Sequence, residues 1–293
     1  MPKGWLIVNS FIHSSKFDGI YSMLKASAES KEIDLRVVKS GSLPHSVNAL
    51  RSVVKDVDFA LFWDKDVILA KQLEAAGLRL FNSASAVEKC DNKALTATVL
   101  EAAGVPVPET YCSPLTFEGV GYNDTAFLDS AAERLGFPMV VKENYGSFGA
   151  QVYLAESREE LGSIVERLGS KGFVMQKFIE SSRGRDLRVN IVGGKAVATA
   201  VRYSVSGDFR SNVTAGGRIL PYCPDERQEA AAVAAAGALG LDFAGVDVLF
   251  GPSGEPLVCE VNSNPHFKST LEATGRDISR DIITHVLKCL RRR

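Results

Sequence analysis

Apolar residues in the first 85 positions fall into short blocks whose period alternates. Trp5–Val8, Leu35–Val38 and Phe59–Trp63 are compact apolar runs that read as buried strands. Phe17–Ser30, Val47–Val54 and Val67–Ala76 space their apolar residues as helices do. This β-α-β-α-β rhythm predicts a small parallel sheet with helices packed on it. Ligand loops in such sheets sit at the carboxyl ends of strands, here Asn9–Lys16 and Asp64–Asp66.

The pattern changes near Val87. Asp91 reads as the N-cap of a helix from Asn92 to Ala103, stopped by Gly104 and barred from continuing by Pro106 and Pro108. A polar loop over 113–125 leads to a helix over Phe127–Leu135 and a strand over Met139–Lys142. Ser157 and Glu160 form a capping box that opens a helix to about Leu168, and Phe173–Phe178 is the next strand. From Asp186 onward the segments pair as hairpins. Leu187–Val192 and Ala196–Val201 flank Gly193-Gly194-Lys195, and Val246–Phe250 and Leu257–Asn262 flank Gly251-Pro252-Ser253-Gly254. Between them, Asp225–Leu239 holds an alanine-rich tract of high helical propensity, read as a buried helix. The expected fold class is an α/β N-terminal domain followed by an α+β region.

Composition narrows the partners. A hydrophobic share of 45% and a charged share of 24% are those of an ordinary globular protein. The net charge of −1, with no basic run except Arg291-Arg292-Arg293 at the end, gives nucleic acid no electrostatic footing. The five cysteines are scattered, with no Cys-x-x-Cys pair or familiar Cys/His ligand spacing, so neither a zinc site nor a disulfide framework is expected. A reduced, cytoplasmic setting follows as the expectation. No apolar run reaches the roughly 20 residues of a membrane span, and Gly4–Val8 is too short for a secretory core.

The final hairpin carries the strongest chemistry. With the turn centred between Ser253 and Gly254, Asp247 faces Glu260, and Asn262 shares Glu260's face. Like charges placed opposite each other destabilise a sheet, but a hard divalent cation reverses that sign. A solvated polar hairpin face is the alternative. Lys142 ends a strand and is followed by Glu143-Asn144-Tyr145-Gly146-Ser147-Phe148-Gly149, a loop able to wrap backbone N–H groups round a polyphosphate. It matches neither the P-loop nor the dinucleotide fingerprint, and an ordinary hairpin loop is its plain reading. Lys93, in a helix's first turn, opposes the helix dipole unless an anion lies nearby. Gln176-Lys177-Phe178-Ile179-Glu180 is a strand edge able to pair with an adenine, and Gly207-Asp208-Phe209-Arg210-Ser211-Asn212 is a turn that offers a fixed cation.

Taken in order over roughly residues 87–275, these pieces resemble the ATP-grasp superfamily, and more closely its RimK-like branch of amino-acid ligases. The Asp208-Phe209-Arg210-Ser211-Asn212 turn and Glu260-Val261-Asn262-Ser263-Asn264-Pro265 are the most specific parts. The resemblance implies an ATP-grasp fold whose two subdomains clasp ATP, with units at 1–86, 87–175 and 176–293. It implies that Lys93, Lys142 and Ser147 hold the ATP phosphates, that Gln176, Lys177 and Phe178 face adenine, and that Asp186 binds the ribose. Arg210, with Ser211 and Asn212 beside it, would neutralise the transferring phosphate, Arg210 and Lys142 serving in catalysis. Asp247, Glu260 and Asn262 would hold two Mg2+ ions, with Mn2+ as a substitute.

The implied reaction joins a carboxylate to an amine, through an acyl phosphate, on small-molecule or peptide substrates, with glutamate the usual amino acid of the branch. Homodimers or homotetramers are usual there. Where RimK-like ligases continue asparagine-serine-x-proline with glycine, this chain has His266, then Phe267 and Lys268. His266 and Lys268, together with Arg188, Arg202 and Arg218, are the candidate substrate anchors. The histidines His13, His45, His266 and His285 suggest no triad. A small-molecule kinase and a non-catalytic nucleotide-binding module are the competing functions.

Overall fold

The computed structural model describes residues 1–12, 14–146, 149–211 and 217–291. The first layer is a parallel sheet of β1 (Lys3–Val8), β2 (Asp34–Lys39), β3 (Phe59–Trp63) and β4 (Leu80–Phe81), in the order β2-β1-β3-β4. Strand alternation divides its apolar residues between two faces. Leu6, Val8, Phe59 and Leu61 pack with α1 (Asp18–Glu29) and with the last helix, α10 (Ile278–Leu290). Ile7, Ala60 and Phe62 pack with α2 (Val47–Val54) and α3 (Val67–Ala75). The continuous apolar run Phe59–Trp63 is therefore a strand covered on both sides, as parallel sheets require. Gly4 is needed where β1 pairs with Phe59 of β3, since a Cβ there would lie 2.4 Å from the Phe59 ring.

The helix expected from an Asp91 cap begins one residue later. Asp91 closes α4 (Ala84–Asp91) and forms an ion pair with Lys65. Asn92 is the N-cap of α5 (Lys93–Ala102), its Oδ1 accepting from the N–H groups of Ala94 and Leu95 at 3.0 and 3.1 Å. Asn92 has extended backbone angles there, so it marks the break between two helices where sequence alone suggested one start. The second sheet is antiparallel, in the order β5-β8-β6-β7, from β5 (Thr110–Cys112), β6 (Met139–Glu143), β7 (Val152–Ala155) and β8 (Phe173–Lys177). One face is covered by α6 (Ala126–Leu135) and α7 (Arg158–Leu168). Ser157 caps α7 as expected, but Glu160 returns to the N–H of Glu156 rather than to that of Ser157.

The third sheet runs β11-β10-β9-β12-β13, built from β9 (Arg185–Val192), β10 (Lys195–Tyr203), β11 (Arg218–Pro221), β12 (Phe243–Phe250) and β13 (Pro256–Asn262). Its core face meets α8 (Glu226–Leu239), whose Ala232, Ala235 and Ala236 allow the helix to lie close against Val189, Ile191 and Val246. A further short helix, α9 (Lys268–Thr274), follows the final hairpin. Gly193 and Gly194, both at positive φ, form the tight turn between β9 and β10. Among the described residues no helix is long and apolar enough to cross a membrane.

Asn82 ties the layers together. Its side chain is fully buried; Nδ2 donates to the carbonyls of Phe243 and Ser263, each at 2.9 Å, and Oδ1 accepts from the N–H groups of Asp242 and Phe243. Replacing it leaves buried backbone groups without partners, at about 1–3 kcal/mol each. Asn82→Ala is expected to lower stability by roughly 3 kcal/mol or more, read as a fall in urea midpoint. A midpoint equal to the parent's would contradict this account of the junction.

Candidate nucleotide and metal site

The three sheets enclose a cleft of about 440 Å³. Its floor is the face of the third sheet turned away from α8. Along β9, Leu187, Val189 and Ile191 enter the core, so Asp186, Arg188 and Asn190 must share the opposite face. Register then sets Arg202 of β10 beside Asp186, and Asp247 of β12 beside Arg188. The result is a buried row of alternating charge. Arg202 bonds Asp186 at 2.7 and 2.6 Å and reaches Asp247 at 3.0 Å, while Arg188 grips both Asp247 oxygens at 2.5 and 3.0 Å. Burial alone would raise the Asp247 pKa, but the two guanidinium groups outweigh it and hold the carboxyl below its ordinary value. Burial likewise opposes charge on Arg202, and Asp186 and Asp247 outweigh it in turn, raising its pKa.

Asp247 and Glu260 are direct cross-strand partners, as the hairpin reading expected, and Gly245 pairs with Asn262. The route to that register differs. The outer rungs, from Val248↔Val258 to Phe250↔Pro256, centre on Ser253, and a bulge at Cys259 shifts the inner rungs by one residue. Asn262 Nδ2 points at the Gly245 carbonyl at 3.4 Å, leaving its amide oxygen for other partners. Two carboxylates and an amide oxygen are hard donors of the kind Mg2+ takes, so the set fits that ion. Arg188 and Arg202 already use three of the about four lone-pair positions of Asp247, and the remaining one lies on Oδ2.

The two lysines converge on the cleft from other elements. Lys142, at the end of β6, donates to Gln176 Oε1 at 2.8 Å and reaches the Cys259 carbonyl at 3.5 Å. Lys93, the first residue of α5, donates to the Gly146 carbonyl at 3.3 Å, and desolvation lowers its pKa. Its backbone N–H bonds the Asn144 carbonyl, which ties the α5 start to the glycine loop. Burial also pushes the Cys259 thiol up, so it stays protonated beside these cations at neutral pH.

Lys93, Lys142, Gln176, Asp247, Glu260 and Asn262 all line the cleft, as do Arg188, Arg202 and His266. Other candidates stand back from its wall. Asp186 lies behind Arg202. Lys177 is exposed and its N–H is committed to the Glu109 carbonyl, while Phe178 packs edge-on against Phe209. Arg210 is held by Asp208 at 2.7 Å and donates to the Gly149 carbonyl at 2.8 Å, joining its turn to the glycine loop; Ser211 beside it is buried. Arg218 and Lys268 are exposed, the latter 3.9 Å from Glu272 and resting on Gly19. Ser147, Asn212 and His13 lie outside the described residues.

The first sheet supplies a wall that motif reading passed over. Trp63 Nε1, Asp64 Oδ2 and Asn264 Oδ1 are buried with no hydrogen-bond partner, and all three residues line the cleft. Asp64 Oδ1 is already used by Asn9 at 3.0 Å and by the Lys65 N–H at 2.7 Å. The loops Asn9–Lys16 and Asp64–Asp66 were legible only as strand ends. His266 Nε2 lies 3.0 Å from the Lys16 carbonyl; since a carbonyl only accepts, Nε2 carries the hydrogen and Nδ1 presents its lone pair. Desolvation, first, lowers the His266 pKa, so the ring is neutral at pH 7.

Two antiparallel sheets, one ending in a lysine and glycine loop and the other carrying an acidic hairpin, face one cleft beside a parallel sheet, and this assembly defines an ATP-grasp fold. The RimK-like ATP-grasp domain family matches residues 90–286, and the chain belongs to that family. N-acetylaspartylglutamate synthase A of Homo sapiens is 33% identical over 229 residues, 78% of this chain and 57% of that protein. A probable alpha-L-glutamate ligase of a Marinomonas strain is 33% identical over 224 residues, covering 75% and 71% of the two chains. The chain thus spans little more than half the length of the human relative. Among solved structures, D-alanine–D-alanine ligase from Bacillus anthracis superposes with a TM-score of 0.75 at 20% identity, covering 100% of this chain and 98% of that one. A RimK domain protein from Sphaerobacter thermophilus gives 0.73 at 21%, covering 97% and 99%. At these identities the superpositions establish the fold.

The His266 pKa yields a signed prediction. Its folded value lies below the unfolded one, so the unfolded chain binds the extra proton and stability is lost as pH falls through the ordinary histidine range near 6.5. Between pH 7.5 and 5.5 the urea midpoint of the parent should fall further than that of His266→Gln. Equal falls would contradict the desolvated, neutral ring.

Proposed function

We propose that this chain is an ATP- and magnesium-dependent ligase that joins a carboxylate to an amine through an acyl phosphate, with an amino acid or peptide among its substrates. The observation that carries the proposal is the direct pairing of Asp247 with Glu260 on a floor where Arg188 and Arg202 are buried and Lys93 and Lys142 converge. The relatives named N-acetylaspartylglutamate synthase and probable alpha-L-glutamate ligase support the reaction class.

In this reading the substrate carboxylate attacks the γ-phosphate, and ADP departs. Both reactants are anions, so the barrier is electrostatic. Asp247, Glu260 and Asn262 would hold magnesium, which when bound would supply positive charge at the phosphates. Lys93 and Lys142 align the phosphates, and Arg188 bears on the transferring group from the floor. Arg210 exchanges Asp208 for phosphate as the glycine loop closes, and the loop keeps water from the acyl phosphate. The Lys177–Phe178 edge and Gln176 face adenine, and Asp186 the ribose. Ser147 and Asn212 belong to the same reading through their motifs. The units 1–86, 87–175 and 176–293 act as acceptor wall, lid and floor.

The amine enters against the first-sheet wall. Asp64 Oδ2 and Asn264 Oδ1 are acceptors awaiting N–H donors, which suits a protonated amine. Attack on the acyl carbon forms the amide, expels phosphate and releases a proton. Asp64→Asn is expected to raise KM for the amine about tenfold or more while leaving KM for the carboxylate nearly unchanged, since roughly 1.4 kcal/mol separates each factor of ten. A rise shared equally by both substrates would remove the amine from this wall.

The direct assay offers ATP and magnesium with panels of amino acids and small carboxylates, scoring phosphate release and then product mass. Phosphate release that needs both a carboxylate and an amine, with a condensed product, is the expected outcome. A stably phosphorylated product would make the chain a kinase instead. Glu260→Gln should cut turnover on the order of a hundredfold or more by removing a metal ligand; undiminished turnover would overturn the metal assignment.

A further inference from the structure

A second cluster of ligand-type side chains lies outside the cleft. Asp242, just before β12, and His285 and Cys289, both on α10, bring a carboxylate oxygen, an imidazole nitrogen and a sulfur within 4.8 Å of one another. None of the three lines the cleft. Asp242 precedes Asp247 by five strand residues, a rise of about 17 Å. We propose that these three residues form a site for a zinc ion, independent of the nucleotide site, with water in the fourth position.

The donor set suits that ion. Zinc takes nitrogen, sulfur and oxygen together in tetrahedral geometry, whereas magnesium and calcium take oxygen alone. One carboxylate and one thiolate, with a neutral imidazole, balance two positive charges. His285 and Cys289 are four residues apart, so they share one face of α10. His285 Nε2 is 2.7 Å from Asp242 Oδ1 and 3.6 Å from Cys289 Sγ. Tetrahedral bonds of about 2.0 Å to nitrogen and oxygen and 2.3 Å to sulfur place neighbouring donors roughly 3.3–3.5 Å apart; the imidazole–sulfur pair already has this spacing, while the 2.7 Å imidazole–carboxylate hydrogen bond opens by about half an ångström as the ion replaces the shared proton. A relay of the cysteine-protease kind needs one ring nitrogen for each partner. Here Nε2, which meets Asp242, is also the nitrogen nearer the sulfur, Nδ1 lying 3.9 Å away.

The backbone behind each ligand is pinned, as preorganised metal sites require. Asp242 has its N–H bound by Asn82 Oδ1 at 2.7 Å and its carbonyl by the Gly193 N–H at 2.8 Å. His285 stands edge-on to Phe81 and lies so close over the β9–β10 turn that a Cβ on Gly193 would meet Nδ1 at 2.6 Å. Arg79 donates to the Cys289 carbonyl at 3.0 Å. Sequence reading expected no zinc site because the third ligand is 43 residues from His285, beyond any short ligand spacing. Binding replaces the Cys289 S–H bond by a metal–sulfur bond and releases that proton to solvent.

Cobalt(II) tests the site, because thiolate ligation gives a charge-transfer band in the near ultraviolet that oxygen ligands do not. Metal-free protein titrated with cobalt should develop this band with one equivalent per chain, and one equivalent of zinc should abolish it. Cys289→Ser should remove the band, and His285→Gln should weaken cobalt binding at least tenfold. Glu260→Gln should leave it intact. Circular dichroism serves as the folding control for every variant, and nucleotide binding for Cys289→Ser and His285→Gln, which lie outside the cleft. Absence of the band, its persistence in Cys289→Ser, or its loss in Glu260→Gln would each overturn the proposal.

Discussion

The cleft depends on a single constraint, the burial of four alternating charges on one face of the third sheet. Asp186, Arg202, Asp247 and Arg188 form that row, and each is enclosed to nine-tenths or more. A buried charge without a partner is costly, so the row holds only while every member keeps its position. Register supplies the positions: β9 presents Asp186 and Arg188 two residues apart, and the strands on either side deliver one opposite charge to each. Glu260 then enters beside Asp247 as an excess negative charge on the same floor. Two carboxylates and an amide oxygen meet at that point, which is where the proposed ligase would hold its metal.

The remaining structure keeps this floor in place and closes it. The alanine face of α8 seals the sheet from behind. Asn82 fixes the parallel sheet to the start of β12 and to Ser263, beside Asn262 of the final hairpin. Arg210 and Lys93 each bond a carbonyl of the glycine loop, at Gly149 and Gly146, so the loop is tethered from both sides of the cleft.

Much of this was legible in the sequence, for identifiable reasons. Phe59–Trp63 and Val47–Val54 emerge with the bounds their periodicity implied, because each is decided by local burial. The facing of Asp247 and Glu260 was legible from hairpin symmetry, although a bulge at Cys259 produces it about a shifted turn. Asp91 was misread because a good capping residue cannot reveal that it already ends another helix. The helix Ile278–Leu290 was not read at all, although its apolar face completes the first core. The wall formed by Trp63, Asp64 and Asn264 joins residues some 200 positions apart, and no motif announces it. Lys268 and Arg218 show the converse: charge and proximity to a motif in sequence did not bring them to the cleft.

In the proposed reaction the floor activates a carboxylate by phosphorylating it. An 18O-labelled carboxylate substrate, turned over with ATP, magnesium and an amine, reports whether this phosphorylation occurs. Attack by the carboxylate on the γ-phosphate must carry one labelled oxygen into the phosphate later expelled by the amine. The predicted result is one 18O in each phosphate released, matched by loss of one label from the amide product. Unlabelled phosphate formed alongside the amide would contradict it.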